Sequence, residues 1–262
     1  MNDLVSKLQK EYGNSFSYGV LPFLQFPAKE EMYKILVIGA EHGDKVSGTN
    51  AMLYVADKLR LKQPAHTSVD MVPVLDTEGY PGTRTSIGCT LGNKKYLDSA
   101  YLETDKPVQV SSLLNLLDSK KYNLALLLTE AFAEEAPSLN GYFMFYQLTT
   151  LQSEDDGTNR LKFLFPEAKD VGGSLANKLM QENVHLLNPK DGDLGDGHIV
   201  TSPGVVFHGF VEEVNLVFRT RNQFAYACQE RNIPALVLVA LGSTTGKLNS
   251  KEAHITSLEE TV

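Results

Sequence analysis

The chain has 262 residues, 42% of them hydrophobic, and a formal net charge of −8. This length and composition allow a large buried core, and an acidic chain without a basic patch is not expected to bind nucleic acid. The sequence has no apolar run of the roughly 18 residues that a transmembrane helix needs, and residues 1–12 lack a signal-peptide core. We therefore expect a cytoplasmic protein with no membrane partner, and the composition leaves the oligomeric state open.

Short apolar runs alternate with amphipathic stretches along the chain. The runs predict buried strands at 35–38, 69–74, 124–128, 142–146 and 235–241. The amphipathic stretches predict helices at 49–61, 110–118, 173–182 and 213–229. Segments 152–159 and 188–202 are rich in Asp, Gly and Ser and are predicted to be surface loops. Because parallel strands need long crossovers, we expect one α/β domain over 1–262, with a core at about 30–245 and a mixed, mainly parallel sheet flanked by helices.

Segment 37–48 carries the first candidate site. An apolar strand ends there in a turn bracketed by glycines, and a helical pattern follows. His42 and Lys45 lie three residues apart in this turn. In open α/β sheets, ligands bind at the carboxyl ends of strands. The turn is therefore the first place to look for a functional site.

This segment resembles the first metal motif of the M14 metallocarboxypeptidase superfamily, in particular its succinylglutamate desuccinylase/aspartoacylase-like branch. That motif reads Gly-x-x-His-Gly-Asp/Asn-Glu-x-x-Gly, and the chain matches it everywhere except at the Glu, which is Lys45. A catalytic zinc needs three protein ligands of the His or carboxylate type, whereas a charged lysine has no acceptor. The resemblance thus implies a zinc site in which a cation replaces one ligand and His42 is the only ligand retained.

The strand at 69–74 leads into a second match. Residues 72–84 resemble the family's Pro-x-x-Asn-Pro-Asp-Gly-Tyr/Phe segment and the Gly-x-Arg that follows it. The resemblance implies that Arg84 is a pocket arginine, which polarises a carbonyl or holds substrate charge. The family next has Asp-Leu-Asn-Arg, which grips a substrate carboxylate. In this chain that clamp is absent or reduced to Asn93 and Lys94.

Two further strands match the family around its third ligand and its general base. Segment 124–130 resembles a strand that ends Asp-Leu-His-Glu, with Thr129 in place of the zinc-binding His and Glu130 retained. A threonine hydroxyl is a poor zinc ligand beside imidazole or carboxylate. Segment 231–240 resembles the strand that carries the base, which falls at Val239 or, with a slip of one residue, at Ala240. Neither side chain can accept a proton.

The resemblance covers about residues 30–245 and implies a pseudoenzyme that keeps the carboxypeptidase fold without zinc and without a catalytic residue. A metal site and its base fail as a unit, so several replacements at separate positions favour loss of hydrolysis. Because the site gains a lysine and keeps an arginine, we expect it to bind an anionic small molecule or a peptide carboxylate, with no cofactor. The vestigial pocket comprises His42, Lys45, Arg84, Thr129 and Glu130.

Two alternatives stay open, and with them the question of enzymatic activity. The first is an active metal-dependent hydrolase of peptides or N-acyl amino acids, in which zinc is held by His42, by Asp44 or Glu41, and by Glu130. The second is an unrelated α/β ligand-binding protein, such as a nucleotide-binding domain. The sequence has no Gly-x-Gly-x-x-Gly, and residues 242–248 match a P-loop only in part.

The other histidines and the two cysteines carry no motif. The histidines, His254 among them, occur singly and are expected to be surface or structural residues. Cys89 and Cys228 are too far apart in sequence to indicate a disulfide framework or a metal cluster. We expect two separate buried thiols.

Overall fold

A computed structural model describes residues 3–12, 17–82, 86–88, 94–96, 101, 104–132, 141–152, 159–163, 165–186, 199–202, 205–210, 223–242 and 247–262. Its helices are α1 Asp3–Tyr12, α2 Ser47–Leu61, α3 Val108–Ser119, α4 Pro166–Gln181, α5 Gln223–Gln229 and α6 Lys247–Thr261. Its strands are β1 Ser17–Tyr18, β2 Leu21–Pro22, β3 Leu24–Phe26, β4 Tyr33–Ile38, β5 Thr67–Val72, β6 Ser86–Gly88, β7 Lys94–Tyr96, β8 Leu124–Phe132, β9 Gly141–Gln152, β10 Asn159–Phe163, β11 Ile199–Ser202, β12 Val205–Phe210 and β13 Ala235–Gly242.

The main sheet is mixed, with a parallel centre. Within the described ranges it has nine strands in the order β11-β12-β9-β13-β8-β4-β5-β3, and β10 pairs with β9 outside this path. The central strands β13, β8, β4 and β5 are parallel to one another, and the pairs β13–β9, β5–β3 and β11–β12 are antiparallel. The expected mixed α/β sheet is confirmed, and the carboxyl ends of its parallel strands meet at one edge.

Helices cover both faces of this sheet, which explains why its central strands are mostly apolar. One face, here called the α3 face, packs against α3 and α5 and includes Leu36 and Ile38 of β4. The other, the α2 face, packs against α2, α4 and α6 and includes Ile35 and Val37 of the same strand. Because successive side chains point to opposite faces of a strand, membership of these two clusters tells which way each residue of the sheet faces.

Most predicted elements are present, two predictions change, and two helices are additional. Residues Ile199–Ser202, predicted to lie in a loop, form the edge strand β11. Pairing with β12 stabilises this short strand, although the composition of the surrounding segment is typical of a loop. Helix α4 begins at Pro166, seven residues before the predicted start at 173, because a proline is well placed in a first helical turn. Helices α1 and α6 were not predicted, while 213–222 lies outside the described residues.

Two further observations concern the whole chain. Among the described residues, no helix is long and apolar enough to cross a membrane. Cys228 is a buried free thiol in α5, as expected, and its burial raises the pKa of the thiol. Cys89 lies outside the described residues.

Candidate functional site

The loop between β4 and α2 lies at the carboxyl edge of the parallel strands and contains His42 and Lys45 of the first motif. His42 and Lys45 are buried, with exposed fractions of 8% and 3%. The Lys45 N–H donates to the His42 carbonyl over 3.0 Å, which closes a turn between them. The loop begins at Gly39, where a Cβ would come within 2.8 Å of the Pro73 carbonyl oxygen and 2.9 Å of the Met52 sulfur. A side chain at this position would therefore push the loop off its neighbours.

Asp76 fastens this loop to the segment that follows β5. Its carboxylate is fully buried and accepts the Gly43 N–H and the Gly79 N–H, each over 2.9 Å. Two backbone donors compensate much of the cost of burying this charged group. Asp76 thus joins the first and second matched segments. The sequence analysis gave it no role, although its position just after a strand that ends at the same edge was a usable signal.

Glu41 is a second buried carboxylate in the loop. It accepts a hydrogen bond of 2.9 Å from the Tyr101 hydroxyl. Tyr101 is itself buried, and its ring packs edge-on against Phe224 of α5 at 6.2 Å between centroids. Tyr101 was missed in the sequence because it is 60 residues away from Glu41 and belongs to no motif.

Thr129 and Glu130 lie where β8 extends past β4. The pairing of these strands ends with Ile38 opposite Leu127, whereas β8 continues beside β13, with Thr129 opposite Val239 and Glu130 opposite Ala240. Val239 belongs to the α3 face and Ala240 to the α2 face. The two residues of the Thr-Glu pair therefore point to opposite faces of the sheet.

The two faces of the sheet separate Thr129 from Glu130, two residues of the predicted pocket. Thr129 shares its face with Val239, so Val239 is the one of the two candidate base positions that lies beside the predicted ligand position. Glu130 lies on the α2 face. Its carboxylate accepts a long hydrogen bond of 3.4 Å from the N–H of Ser47, the first residue of α2. A carboxylate at a helix N-terminus is favoured by the helix dipole.

His254 of helix α6 holds the end of β8 from the α2 side. The side chain is fully buried, and its Nε2 lies 3.1 Å from the Thr129 carbonyl oxygen. Because a carbonyl only accepts, Nε2 must carry the proton of the neutral ring. Burial lowers the pKa of His254 to about 4, although the hydrogen bond to Thr129 acts in the opposite direction. His254 is therefore a neutral structural histidine.

The described residues at the carboxyl edge of the sheet include few side chains that could ligate a metal. Among the described residues, no three His, Cys, Asp or Glu side chains form a group that could hold a metal ion. The set proposed for the alternative hydrolase, His42 with Glu41 or Asp44 and Glu130, therefore does not assemble as a ligand group there. Arg84 and Asn93 lie outside the described residues, and Lys94 is described only as part of strand β7.

Comparison with known proteins finds similarity in structure but none in sequence. No protein-family model matches the chain, and no curated protein matches it. Solved structures match over almost its full length. A provisionally named metallopeptidase from Shewanella denitrificans OS217 has a TM-score of 0.57 at 16% identity, covering 98% of this chain and 86% of that one.

Two other structures define the group more closely. A metallo-carboxypeptidase from Pseudomonas aeruginosa gives a TM-score of 0.57 at 14% identity, covering 98% of this chain and 66% of that one. An aspartoacylase-family protein from Mesorhizobium loti gives 0.53 at 12%, covering 92% and 60%. At such low identity the likeness concerns the fold alone. The chain has the α/β fold shared by M14-like metallocarboxypeptidases and aspartoacylase-family proteins.

Proposed function

We propose that the protein is a zinc-less relative of the M14 carboxypeptidases and desuccinylases, which binds an anionic small molecule or a peptide carboxylate without hydrolysing it. The observation that carries the proposal is Lys45. It occupies the position of a zinc-binding Glu in the family motif, and it is buried in the loop beside His42. A buried ammonium at a metal-ligand position opposes a divalent cation electrostatically. A cytoplasmic location remains part of this proposal.

The donor chemistry of the other matched positions agrees with this proposal. Thr129 offers a neutral hydroxyl where a catalytic zinc site has an imidazole. Val239, in register beside Thr129, offers no atom that could take a proton from water. With His42 as the only family ligand that remains, these residues do not fit a catalytic zinc ion. No hydrolytic step is therefore assigned to this site.

A metal titration tests the loss of zinc. We expect no stoichiometric zinc in the wild type, and about one zinc per chain in the double variant Lys45→Glu/Thr129→His, which restores a family-like set of three ligands with His42. Elemental analysis after dialysis against dilute zinc measures both, and each single substitution is a matched control with one ligand fewer. Stoichiometric zinc in the wild type would contradict the proposal and favour the rearranged hydrolase.

A binding experiment tests the ligand class. Isothermal titration with a panel of N-acyl amino acids and short peptides should show weak binding that falls as salt rises, because salt screens the attraction between the anionic ligand and the cationic site. Arg84→Ala should weaken it further if this arginine holds the ligand charge. Hydrolysis of any member of the panel, abolished by a chelator, would overturn the non-enzymatic proposal. Binding that is indifferent to Arg84→Ala would remove only this arginine from the site.

A further inference from the structure

The amino end of helix α2 has no side-chain N-cap, and a carboxylate from another strand makes only a long contact with it. Its N-cap residue is Val46, which has no polar side-chain atom, and its first turn contains no acidic residue. The Glu130 carboxylate approaches this end, and its 3.4 Å contact with the Ser47 N–H is longer than an ordinary N–H···O bond. The first N–H groups of a helix lack intrahelical partners. This end of α2 therefore retains capacity to bind an anion.

The Ser47 hydroxyl is a second and independent sign of a ligand. Its Oγ is buried and makes no hydrogen bond within the described part of the chain, and the residue as a whole is only 4% exposed. A buried hydroxyl without a partner is costly. Lys45, two residues earlier in the chain, is also buried, which makes it a candidate source of positive charge for this loop. The intervening Val46 and the preceding Asp44 are partly exposed, so this end of the helix lies just beneath the surface.

We propose that the amino end of α2 is a binding site for a small carboxylate, formed by the Ser47 N–H, the Ser47 hydroxyl and Lys45, and that Glu130 is its internal competitor. The inference rests on the proposed function, because it names the elements that would hold the anionic ligand. A carboxylate has two oxygens and can accept from the N–H and from the hydroxyl together. The described contacts of Glu130 with Ser47 use the N–H alone. An external carboxylate that satisfies both donors is therefore able to compete with Glu130.

Removal of the internal carboxylate tests the proposal. Glu130→Ala should lower the melting temperature, and sodium acetate should restore it in a saturable way that sodium chloride at equal ionic strength does not reproduce. With acetate at about ten times its Kd, the expected rise is roughly 3–6 °C. Adding Ser47→Ala to Glu130→Ala should reduce this response, because one of the two donors is gone.

Glu167→Ala is the matched control, because Glu167 is an exposed carboxylate in the first turn of α4. It should show no response specific to acetate. If Glu130→Ala does not fold, Glu130→Gln keeps the shape and removes the charge, and isothermal titration should then show acetate binding at least about tenfold tighter than in the wild type, a difference of about 1.4 kcal/mol. An acetate response in the Glu130 variants no larger than that of Glu167→Ala would overturn the proposal.

These outcomes separate the inference from the proposed function. The proposed function fails if the wild type binds no member of the anionic panel or hydrolyses one. The inference fails if the Glu130 variants show no site for acetate, or if Ser47→Ala leaves their acetate response unchanged. Acetate rescue together with a wild type that binds nothing would mean that Glu130 keeps the site filled, which supports the inference and rejects ligand binding by the native protein.

Discussion

Two buried carboxylates of the same sheet, Asp70 and Glu130, have very different surroundings. Asp70 of β5 accepts from the Tyr122 hydroxyl at 2.8 Å and from the Lys120 ammonium at 2.9 Å, with the Gln25 amide nitrogen at 3.3 Å. Glu130 of β8 has a single described hydrogen bond, to a backbone N–H at 3.4 Å. Both side chains are almost completely buried. Burial alone therefore does not tell how fully a carboxylate is hydrogen-bonded.

The difference follows from position along the strands. Asp70 lies within β5, where it pairs in register with Leu36 of β4, and its partner Tyr122 packs on the α3 face. Glu130 lies beyond the last residue that pairs with β4, at the edge where ligands bind in open α/β sheets. A buried carboxylate whose hydrogen bonds are all made stabilises the fold. Where they are made only in part, the neighbouring N–H and O–H groups keep capacity for another acceptor. Three substitutions or titrations sharpen this contrast.

The largest effect is expected at Asp70. Asp70→Ala leaves the Lys120 ammonium and the Tyr122 hydroxyl without their carboxylate, which should lower the free energy of unfolding by about 3–5 kcal/mol. Since the Lys120 side chain is 24% exposed, solvent screening favours the lower end of this range. Urea denaturation measures the change. Adding Lys120→Met should recover part of it, and a loss near zero would show that the cluster does not stabilise the fold.

The next effect is a pH dependence of the free energy of unfolding, caused by His254 at the carboxyl edge. Its pKa is about 4 in the folded protein and near 6.5 when the chain unfolds. Between these values the unfolded state binds more protons, so stability falls as the pH drops from about 6.5 to about 4, by roughly 3 kcal/mol in total. The loss should be complete near pH 4 and absent at neutral pH. Urea denaturation across this pH range measures it.

His254→Gln tests the assignment, because it keeps an amide donor but does not titrate. The variant should lose less stability than the wild type between pH 6.5 and 5, a range above the usual pKa of carboxylates. His66, which is exposed beside Glu30, is the control. His66→Gln should follow the wild-type curve, and an identical curve for His254→Gln would contradict the prediction.

The smallest of the three effects is expected at Asp76. Asp76→Asn keeps one carbonyl oxygen and replaces the other with an NH₂ group that faces an N–H donor, so one of the two loop bonds is lost. We expect a loss of about 1–3 kcal/mol. Faster hydrogen exchange of the Gly43 and Gly79 amides should accompany it. The exposed Asp170 of α4 is a matched control, and Asp170→Asn should leave both exchange rates unchanged.

The sequence predicts the centre of the fold well because its strands are buried on both faces. Apolar runs at 35–38, 124–128 and 235–241 correspond to β4, β8 and β13, and the intervening amphipathic stretches correspond to helices. The edge strand β11 escaped prediction, since it is short and its neighbourhood has a loop-like composition. Residue identity also decides which chemistry is available. A charged lysine has no acceptor atom, and a valine cannot accept a proton.

Only the tertiary structure decided what these side chains face. The sequence places Thr129 beside Glu130, but the register with β13 puts them on opposite faces of the sheet. The Tyr101 hydroxyl reaches Glu41 across 60 residues, and His254 reaches the Thr129 carbonyl across 125. Such contacts depend on which buried polar groups need partners after the strands have paired. Local periodicity fixes strands and helices, whereas the partners of buried polar atoms are set by segments that meet only in the folded chain.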